Sequence, residues 1–153
     1  MKRHPAIQPL SRQHHTALLA VLLLKKGIAR HADPTVMCSF LQQVWDQELQ
    51  PHLVAEEQFL LPLIQPGLPT IVCDILVQHA QLWSSYHAVL AQGSEESLHA
   101  FVLLLETHIR QEERQYFPAI EASLDEAALA QLSSQLPEET ETACLQFSPR
   151  FWE

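Results

Sequence analysis

The chain is poor in glycine and cysteine. It contains only 3 glycines among 153 residues, and its 3 cysteines lie far apart, without a Cys-x-x-Cys pair. An odd number of cysteines cannot pair completely within one chain, so we expect a reducing, cytoplasmic environment rather than a disulfide framework. The scarcity of glycine, together with long stretches rich in Leu, Ala, Gln and Glu, favours an all-α fold.

Positive charge is also scarce. The chain has 9 Lys and Arg against 18 Asp and Glu, a net charge of −9, and apart from Lys25-Lys26 the basic residues are scattered. Proteins that bind nucleic acid concentrate basic residues on one surface, so we expect no nucleic-acid partner. No apolar run reaches the roughly 20 residues of a membrane-spanning helix, and the N-terminal region lacks a signal-peptide cleavage site, so we expect neither membrane insertion nor secretion.

Proline, glycine and polar capping residues divide the sequence into four long helical segments and a tail. Ser11 is the predicted N-cap of the first helix, with Gly27 at its fraying end, and Pro51 predicts a kink or break in the second helix just before His52. Short connections between the segments predict an up-down-up-down antiparallel four-helix bundle. The predicted helices cover about 12–29, 34–64, 70–92 and 95–123, followed by a short helix at 126–135.

The C-terminal part is predicted to be an appendage of this bundle. We place the bundle at 1–123 and the short helix and tail at 124–153, packed on the bundle. The tail combines acidic residues with Phe147, Phe151 and Trp152. An aromatic tail of this kind either packs on its own domain or docks on a partner protein, and the sequence leaves both open.

One pattern, His-x-x-x-Glu-Glu-x-x-x-x-Pro, occurs twice in the sequence. Residues four apart lie on the same face of an α-helix, so the histidine and first glutamate of each copy project side by side. Two such helices facing each other would bring two imidazoles and two carboxylates together, as helix bundles do at carboxylate-bridged dimetal sites. The two copies are His52, Glu56, Glu57 and Pro62, and His108, Glu112, Glu113 and Pro118.

A weaker repeat supplies two more histidines. Gln13-His14 in the first helix and Gln78-His79 in the third occupy comparable places in the two helical pairs. Since two histidines offer too few nitrogen donors for two cations, His14 and His79 complete the predicted set. The internal alignment favours His14, although its neighbour His15 lies only one position round the same helix and stays an alternative.

The six predicted ligands have to be weighed against an ordinary helical core. A single histidine on an apolar face is usually a satisfied core residue, but buried carboxylates at Glu56 and Glu112 would be costly unless paired or coordinated. Recurrence of the pair on two helices therefore favours a dimetal site. Imidazole and carboxylate suit several divalent ions, so zinc or manganese bracing the bundle stays open. A pure interaction module without metal would leave these polar groups unpaired.

These residues resemble the hemerythrin-like (HHE cation-binding) domain over about 10–122. The resemblance lies in Arg12-Gln13-His14-His15, the two repeated motifs, His79, and the stretch from His108 to Tyr116-Phe117-Pro118. It implies a four-helix bundle around a non-haem centre of two iron ions that are bridged by glutamates. In that family reading, Glu56 and Glu112 bridge the ions, His14 and His52 bind one of them, and His79 and His108 bind the other.

The sequence departs from the oxygen-carrying members at two positions. Where they have a further histidine and a bridging aspartate, this chain has Trp83 and Glu112. One imidazole fewer leaves room for an exogenous ligand, since reactive metals keep an open position. We therefore expect a sensor or handler of oxygen, nitric oxide or iron, with a small diatomic molecule or peroxide as ligand. The alternative is an oxidoreductase that reduces peroxide, repairs oxidative or nitrosative damage, or donates iron. A homodimer or a partner protein docked on the tail is a further expectation.

Residues around the ligands are predicted from single-helix geometry. Glu57 and Glu113 point about 100° away from the bridging glutamates and are expected at the surface, with contact to a ligand imidazole as the alternative. Glu48, one turn before His52, is the better candidate for contact with a ligand, although a solvated helix surface is the more usual place for such a residue. Tyr116 is expected to be core, with hydrogen bonding or electron donation to the site as the alternative. One turn beyond the ligands, a single apolar lid is expected from Leu18, Leu60, Trp83 and Tyr116.

Overall fold

A computed structural model describes residues 2–137 and 146–153. Over these residues the chain is all-helical and has no strand, which confirms the predicted class. None of the described helices is both long and apolar enough to cross a bilayer. The helices are α1 (Gln8–Ala29), α2 (residues 34–64), α3 (Pro69–Gln92), α4 (residues 95–123) and α5 (Glu126–Gln135).

Two of the long helices contain wide turns of π-helix. In α2 the α-helical stretches Pro34–Val44, Gln50–Ala55 and Leu61–Ile64 alternate with the π turns Trp45–Leu49 and Glu56–Leu60. In α4 the π turn Glu112–Tyr116 separates Glu95–Gln111 from Phe117–Ser123.

Each π turn ends two residues before a proline, at Pro51, Pro62 or Pro118. A proline in a helix has no N–H to donate, and its ring crowds the carbonyl group one turn earlier, so a locally wider turn relieves the clash. The prediction of a kink or break before His52 needs correction, because the helix continues through Pro51 by widening. Two of these π turns begin at the glutamates of the repeated motif, Glu56 and Glu112.

The helix caps follow the sequence at most ends. The Asp33 carboxylate accepts from the Thr35 N–H at 2.9 Å, the Ser94 hydroxyl accepts from the Ser97 N–H at 3.1 Å, and Gly93 takes the left-handed conformation with φ of 58°. The start of α1 differs from the prediction, since the helix begins at Gln8 and Ser11 lies inside it. The Ser11 hydroxyl instead contacts a side chain of α4.

Gly27 was predicted at a fraying helix end, and this is wrong. It is buried within α1, and a Cβ atom there would lie 2.6 Å from the Phe151 ring and 2.7 Å from Met37 Sδ. The tail residues Phe147 and Phe151 pack edge-on against Phe40, with ring centroids 5.2 and 5.1 Å away. The described part of the tail therefore packs on its own chain, whereas residues 138–145, including Cys144, lie outside the described residues.

Each of the four long helices contributes residues to two hydrophobic clusters. The first cluster surrounds Phe40 and Phe101, and the second surrounds Ile75 and Phe117. Along α1 and α3 the second cluster comes first and the first cluster follows, and along α2 and α4 the order is reversed. Between its two apolar stretches, each helix carries the polar residues predicted as ligands.

Candidate metal centre

All six predicted ligands are buried, at the level between the two hydrophobic clusters. His14 comes from α1, His52 and Glu56 from α2, His79 from α3, and His108 and Glu112 from α4; none is more than 6% exposed. His15 is exposed, so of the two adjacent histidines it is His14 that points inward.

The inward nitrogen of each histidine lies close to a glutamate. His52 Nε2 is 2.9 Å from Glu56 Oε1 and His79 Nε2 is 3.0 Å from Glu56 Oε2. At the other glutamate, His14 Nε2 is 3.0 Å from Glu112 Oε2 and His108 Nε2 is 3.3 Å from Glu112 Oε1. Each carboxylate thus faces one histidine with each of its oxygens.

These atoms form two overlapping ligand groups. The first group is His14, His52, Glu56 and Glu112, the second is Glu56, His79, His108 and Glu112, and within each group one ligand atom per residue lies within 4.8 Å of the others. Ligands about 2.1 Å from one first-row cation, at angles of about 90–110°, stand about 3.0–3.4 Å apart. The observed 2.9 to 3.3 Å between neighbouring nitrogens and oxygens matches that spacing. The shared glutamates are placed to serve both groups.

Hydrogen-bond acceptors beside the outer nitrogens of the four imidazoles fix the tautomers of the rings. Nδ1 of His14 lies 2.7 Å from Glu113 Oε1, and Nδ1 of His79 lies 2.9 Å from Glu57 Oε1. A carboxylate can only accept, so in both rings Nδ1–H is the donor and Nε2 of a neutral ring keeps its lone pair for the pocket. The equivalent acceptors are amide oxygens, Gln13 Oε1 at 2.5 Å from His52 Nδ1 and Gln78 Oε1 at 2.7 Å from His108 Nδ1.

Several buried polar atoms in the pocket lack a hydrogen-bond partner among the described residues. Glu56 Oε1, His108 Nε2 and both Glu112 carboxylate oxygens are in this position, although nitrogens lie near them at ion-pair distances. His14 Nε2 and His52 Nε2 are 3.1 Å apart, so without metal they can form a hydrogen bond only if one of the two nitrogens carries a proton. Unsatisfied buried acceptors are costly, and cations between them would satisfy all of them at once.

Burial and the neighbouring carboxylates shift the pKa values of the pocket residues in opposite directions. Burial opposes the charged form of His14, but hydrogen bonds to neighbouring glutamates outweigh it and raise the pKa to about 10. The pKa of His79 rises to about 9 in the same way, while burial lowers that of His108 to about 3. Burial, with the charge of Glu56, raises the pKa of Glu112. Without metal the site therefore holds protons, and divalent cations would replace that charge.

Glu57 and Glu113 were predicted at the surface, with contact to a ligand imidazole as the alternative. Glu57 is exposed and Glu113 is half-buried, and each of them also contacts a histidine of the site. Glu113 is 26% exposed, holds His14, and also accepts from the Ser11 hydroxyl at 2.7 Å and Arg3 Nε at 3.2 Å. These contacts lower its pKa to about 2 against the effect of burial. Glu57 accepts from His79 Nδ1, and its side chain is 39% exposed. The sequence signal was the doubled glutamate of each motif.

Gln13 and Gln78 contact the candidate site, although the sequence did not assign them to it. Both stand immediately before a predicted ligand histidine, and each accepts from the histidine of the next helix rather than from its own neighbour. The repeated Gln-His dipeptide was their signal. Gln78 continues the network, because its Nε2 donates to Gln111 Oε1 at 2.7 Å and to the Tyr116 hydroxyl at 3.4 Å. Tyr116 in turn donates to Asp74 Oδ2 at 3.2 Å.

The expectation of one apolar lid also needs correction. Leu18 and Trp83 pack with the first hydrophobic cluster, whereas Leu60 and Tyr116 belong to the second. On α1 and α3, the residue one turn C-terminal to the predicted ligand packs with the first cluster. On α2 and α4, the residue one turn C-terminal to the predicted glutamate ligand belongs to the second cluster. The site therefore has apolar side chains on both sides. Trp83 packs edge-on against Trp45, with ring centroids 4.9 Å apart.

A small cavity adjoins the site on the side of the first cluster. Its volume is about 10 Å³, and its walls include His14, His52 and His108 with apolar side chains such as Leu82 and Leu105. A space of that size accommodates about one water molecule. Glu48, which was considered for contact with a ligand, contributes to the wall of this cavity.

Comparison with known proteins gives one family. The model of the hemerythrin HHE cation-binding domain matches residues 6–120. No curated protein and no solved structure matches the chain.

Proposed function

Because the chain belongs to the hemerythrin HHE cation-binding domain family, we propose that it holds two iron ions and uses them to sense or handle oxygen, nitric oxide or iron. His14 and His52 would hold one ion and His79 and His108 the other, with Glu56 and Glu112 shared between them. The observation that carries this proposal is the convergence of four imidazole Nε2 atoms on two buried carboxylates, some of whose oxygens lack hydrogen-bond partners.

The helices that present these ligands form an antiparallel up-down-up-down bundle in this proposal. The reversed order of the two hydrophobic clusters along successive long helices supports that topology. Ligands from four helices then meet at one level, as in other carboxylate-bridged dimetal bundles. Zinc or manganese would fit the same donors, and iron is preferred on the family alone.

The protein's own residues prepare the site before any metal binds. Bound iron would supply redox chemistry and coordination positions for a small ligand. The outer acceptors Gln13, Glu57, Gln78 and Glu113 orient each imidazole with its lone pair inward, which raises the metal affinity of histidine ligands. The two hydrophobic clusters restrict water at the site, and the small cavity beside His14 and His52 has room for about one water-sized molecule.

A reducing, cytoplasmic setting is part of the proposal. Cys38 and Cys73 are free thiols, and a free thiol persists where reductants keep it reduced. Ligation of the metal pair by oxygen or nitric oxide would then be the signal.

The proposal is tested by metal content and by spectra of both redox states. Protein purified without added metal should contain iron at close to two ions per chain in its elemental analysis. Anaerobic reduction followed by oxygen or nitric oxide should then change the iron absorption bands. Iron-loaded protein whose bands respond to neither gas would contradict sensing.

A second candidate, an oxidoreductase acting on peroxide, is favoured by Glu48. Glu48 lines the cavity together with His52, and a carboxyl group at that position would be available for proton transfer to a small substrate. Peroxide consumption by iron-loaded protein, lost in the Glu56→Ala, Glu112→Ala double variant and slowed in Glu48→Gln, would support it. Turnover no faster than that of free iron would exclude it.

A further inference from the structure

One side of α3 is apolar and uncharged in a chain with a net charge of −9. Cys73, Val77, Ala80, Ser84 and Ala88 follow one another at intervals of three or four residues, which places them along one side of the helix. They line two adjoining concave stretches of surface whose walls contain no Asp, Glu, Lys or Arg. Val77 is 52% exposed there.

We propose that this α3 face is the contact between two copies of the chain. Side-chain size changes along it, from Leu76 and Val77 toward the helix start to Ala80, Ser84 and Ala88 further on. A two-fold axis near Ala80 reverses one copy against the other, so the larger residues of each copy meet the smaller residues of its partner. The face is thus complementary to itself, which is what a two-fold contact requires.

The charge distribution favours a second copy over a basic partner. A positively charged partner would be matched by carboxylates, and the walls of the two concave stretches contain none. Two acidic copies repel each other at long range, so they can touch only where no like charges are brought together. Their association should therefore strengthen as salt screens the repulsion, whereas association with a basic partner would weaken.

The size of the face predicts a weak dimer. The 24 residues of α3 extend about 36 Å, and a helix is about 10 Å wide. With the adjoining Leu104 of α4, the contact is on the order of 400–500 Å² per copy, less than the roughly 800 Å² of a standard interface. An interface below the standard size is typical of weak, transient association, so dimerisation is expected only at high protein concentration. The inference uses no metal ligand and is independent of the proposed function.

Sedimentation of the full chain tests the dimer. The wild type should shift from monomer to dimer between roughly 1 µM and 1 mM, at lower concentration in high salt than in low salt. Val77→Glu should raise the concentration of half-dimerisation by at least tenfold. Leu22→Glu is the matched control. Leu22 is 48% exposed on α1, away from this face, so the variant should dimerise like the wild type. A wild type that stays monomeric, or a Val77→Glu variant that dimerises equally well, would overturn the proposal.

Disulfide trapping tests the two-fold axis separately. Ala80→Cys, made together with Cys73→Ser, places a thiol near the axis and should form an intermolecular disulfide under mild oxidation. Cys73 itself lies about 10 Å from the axis along the helix, so the two copies of it are about 20 Å apart and cannot join. Ala127→Cys in the same Cys73→Ser background is the control, exposed on α5. Trapping at Ala127 as fast as at Ala80, or efficient pairing of Cys73 with itself, would contradict this arrangement.

Discussion

His14 and His79 occupy equivalent places in the two ligand groups, and each is held at Nδ1 by a glutamate of the repeated motif. The two glutamates differ in their own support. Glu113, which holds His14, is itself held by Ser11 and Arg3 and is 26% exposed, whereas Glu57, which holds His79, is 39% exposed. The glutamine acceptors differ as well, and here the second group has the additional support. Gln78, which accepts from His108, donates to the Tyr116 hydroxyl, and Tyr116 donates to Asp74.

Duplication of a ligand set does not duplicate its surroundings. The first group draws on the N-terminal segment, since Arg3 reaches Glu113 on one side and Glu121 Oε1 at 3.1 Å on the other. In the second group the supporting contacts come from α3 and α4, where Gln78 donates to Gln111 and Tyr116. The two ligand groups are therefore expected to differ in metal affinity even though their ligand types are identical.

Loss of a shared glutamate should have the largest effect. Glu112 belongs to both groups, so Glu112→Gln should lower the metal content from about two ions per chain to below one. His14→Asn and His79→Asn each disable one group and should retain about one ion. Elemental analysis after removal of loose metal measures this, with Glu96→Gln on the exposed start of α4 as control. Equal metal content in Glu112→Gln and His14→Asn would disprove the sharing of Glu112.

The pH dependence of the metal-free protein should be the next largest effect. The folded-state pKa values of His14 and His79, about 10 and about 9, lie above the ordinary 6.5, so protonation stabilises the fold. This contribution is complete below pH 6.5 and is lost as the pH rises toward 9 and 10. The free energy of unfolding should fall over that range by a few kcal/mol, on the order expected for shifts of this size.

Urea unfolding in the presence of a chelator measures this slope, and variants divide it between the two groups. His14→Gln should flatten it more than His79→Gln, because the His14 pKa is raised further. Metal affinity should change in the opposite direction and rise with pH, since the ligands must lose their protons. A metal-free protein that becomes more stable between about pH 7 and 9 would contradict the charge pattern of the pocket.

Removal of the outer carboxylates should separate the two groups more finely. Glu113→Gln, made in His79→Asn so that the first group alone binds, should weaken binding by roughly 10- to 100-fold, because Arg3 and Ser11 fix the orientation of Glu113. Glu57→Gln in His14→Asn should cost less, since the more exposed side chain is less strictly oriented. Competition with a chelator of known affinity gives both values. Equal losses would show that the support of Glu113 has no influence on the metal.

The inner residues of the site could be predicted from sequence, and their outer partners could not. Helical periodicity places His52 beside Glu56 and His108 beside Glu112, because both members of each pair lie on one helix. Glu113 projects away from Glu112 on α4, but α1 lies on that side and presents His14 there. A single-helix projection does not contain the neighbouring helix, so contact of Glu57 and Glu113 with a histidine was only the alternative to a surface position.

The π turns were missed for a related physical reason. Pro51, Pro62 and Pro118 mark points where the regular hydrogen-bond pattern must change, yet a break, a kink and a widened turn all satisfy a missing N–H. Packing of both helix segments into the same core selects the widened turn, since a break would remove His52 from the level of the other ligands. The caps at Asp33 and Ser94 were predictable because they depend only on nearby residues.

Tyr116→Phe should give the smallest effect and should fall on the second group alone. The Tyr116 hydroxyl links Gln78 to Asp74, and Gln78 accepts from His108, so its loss loosens one histidine of the second group. A single neutral hydrogen bond is worth about 1 kcal/mol, which corresponds to roughly a fivefold loss of affinity. The variant is therefore measured in His14→Asn, where only the second group binds, and again in His79→Asn, where affinity should be unchanged. Tyr86→Phe is the matched control, a buried tyrosine that stacks on Trp45 in the first cluster. Equal losses in both histidine backgrounds would mean that Tyr116 acts through packing of the whole bundle, and the difference between the two groups would then rest on Glu113 and Glu57 alone.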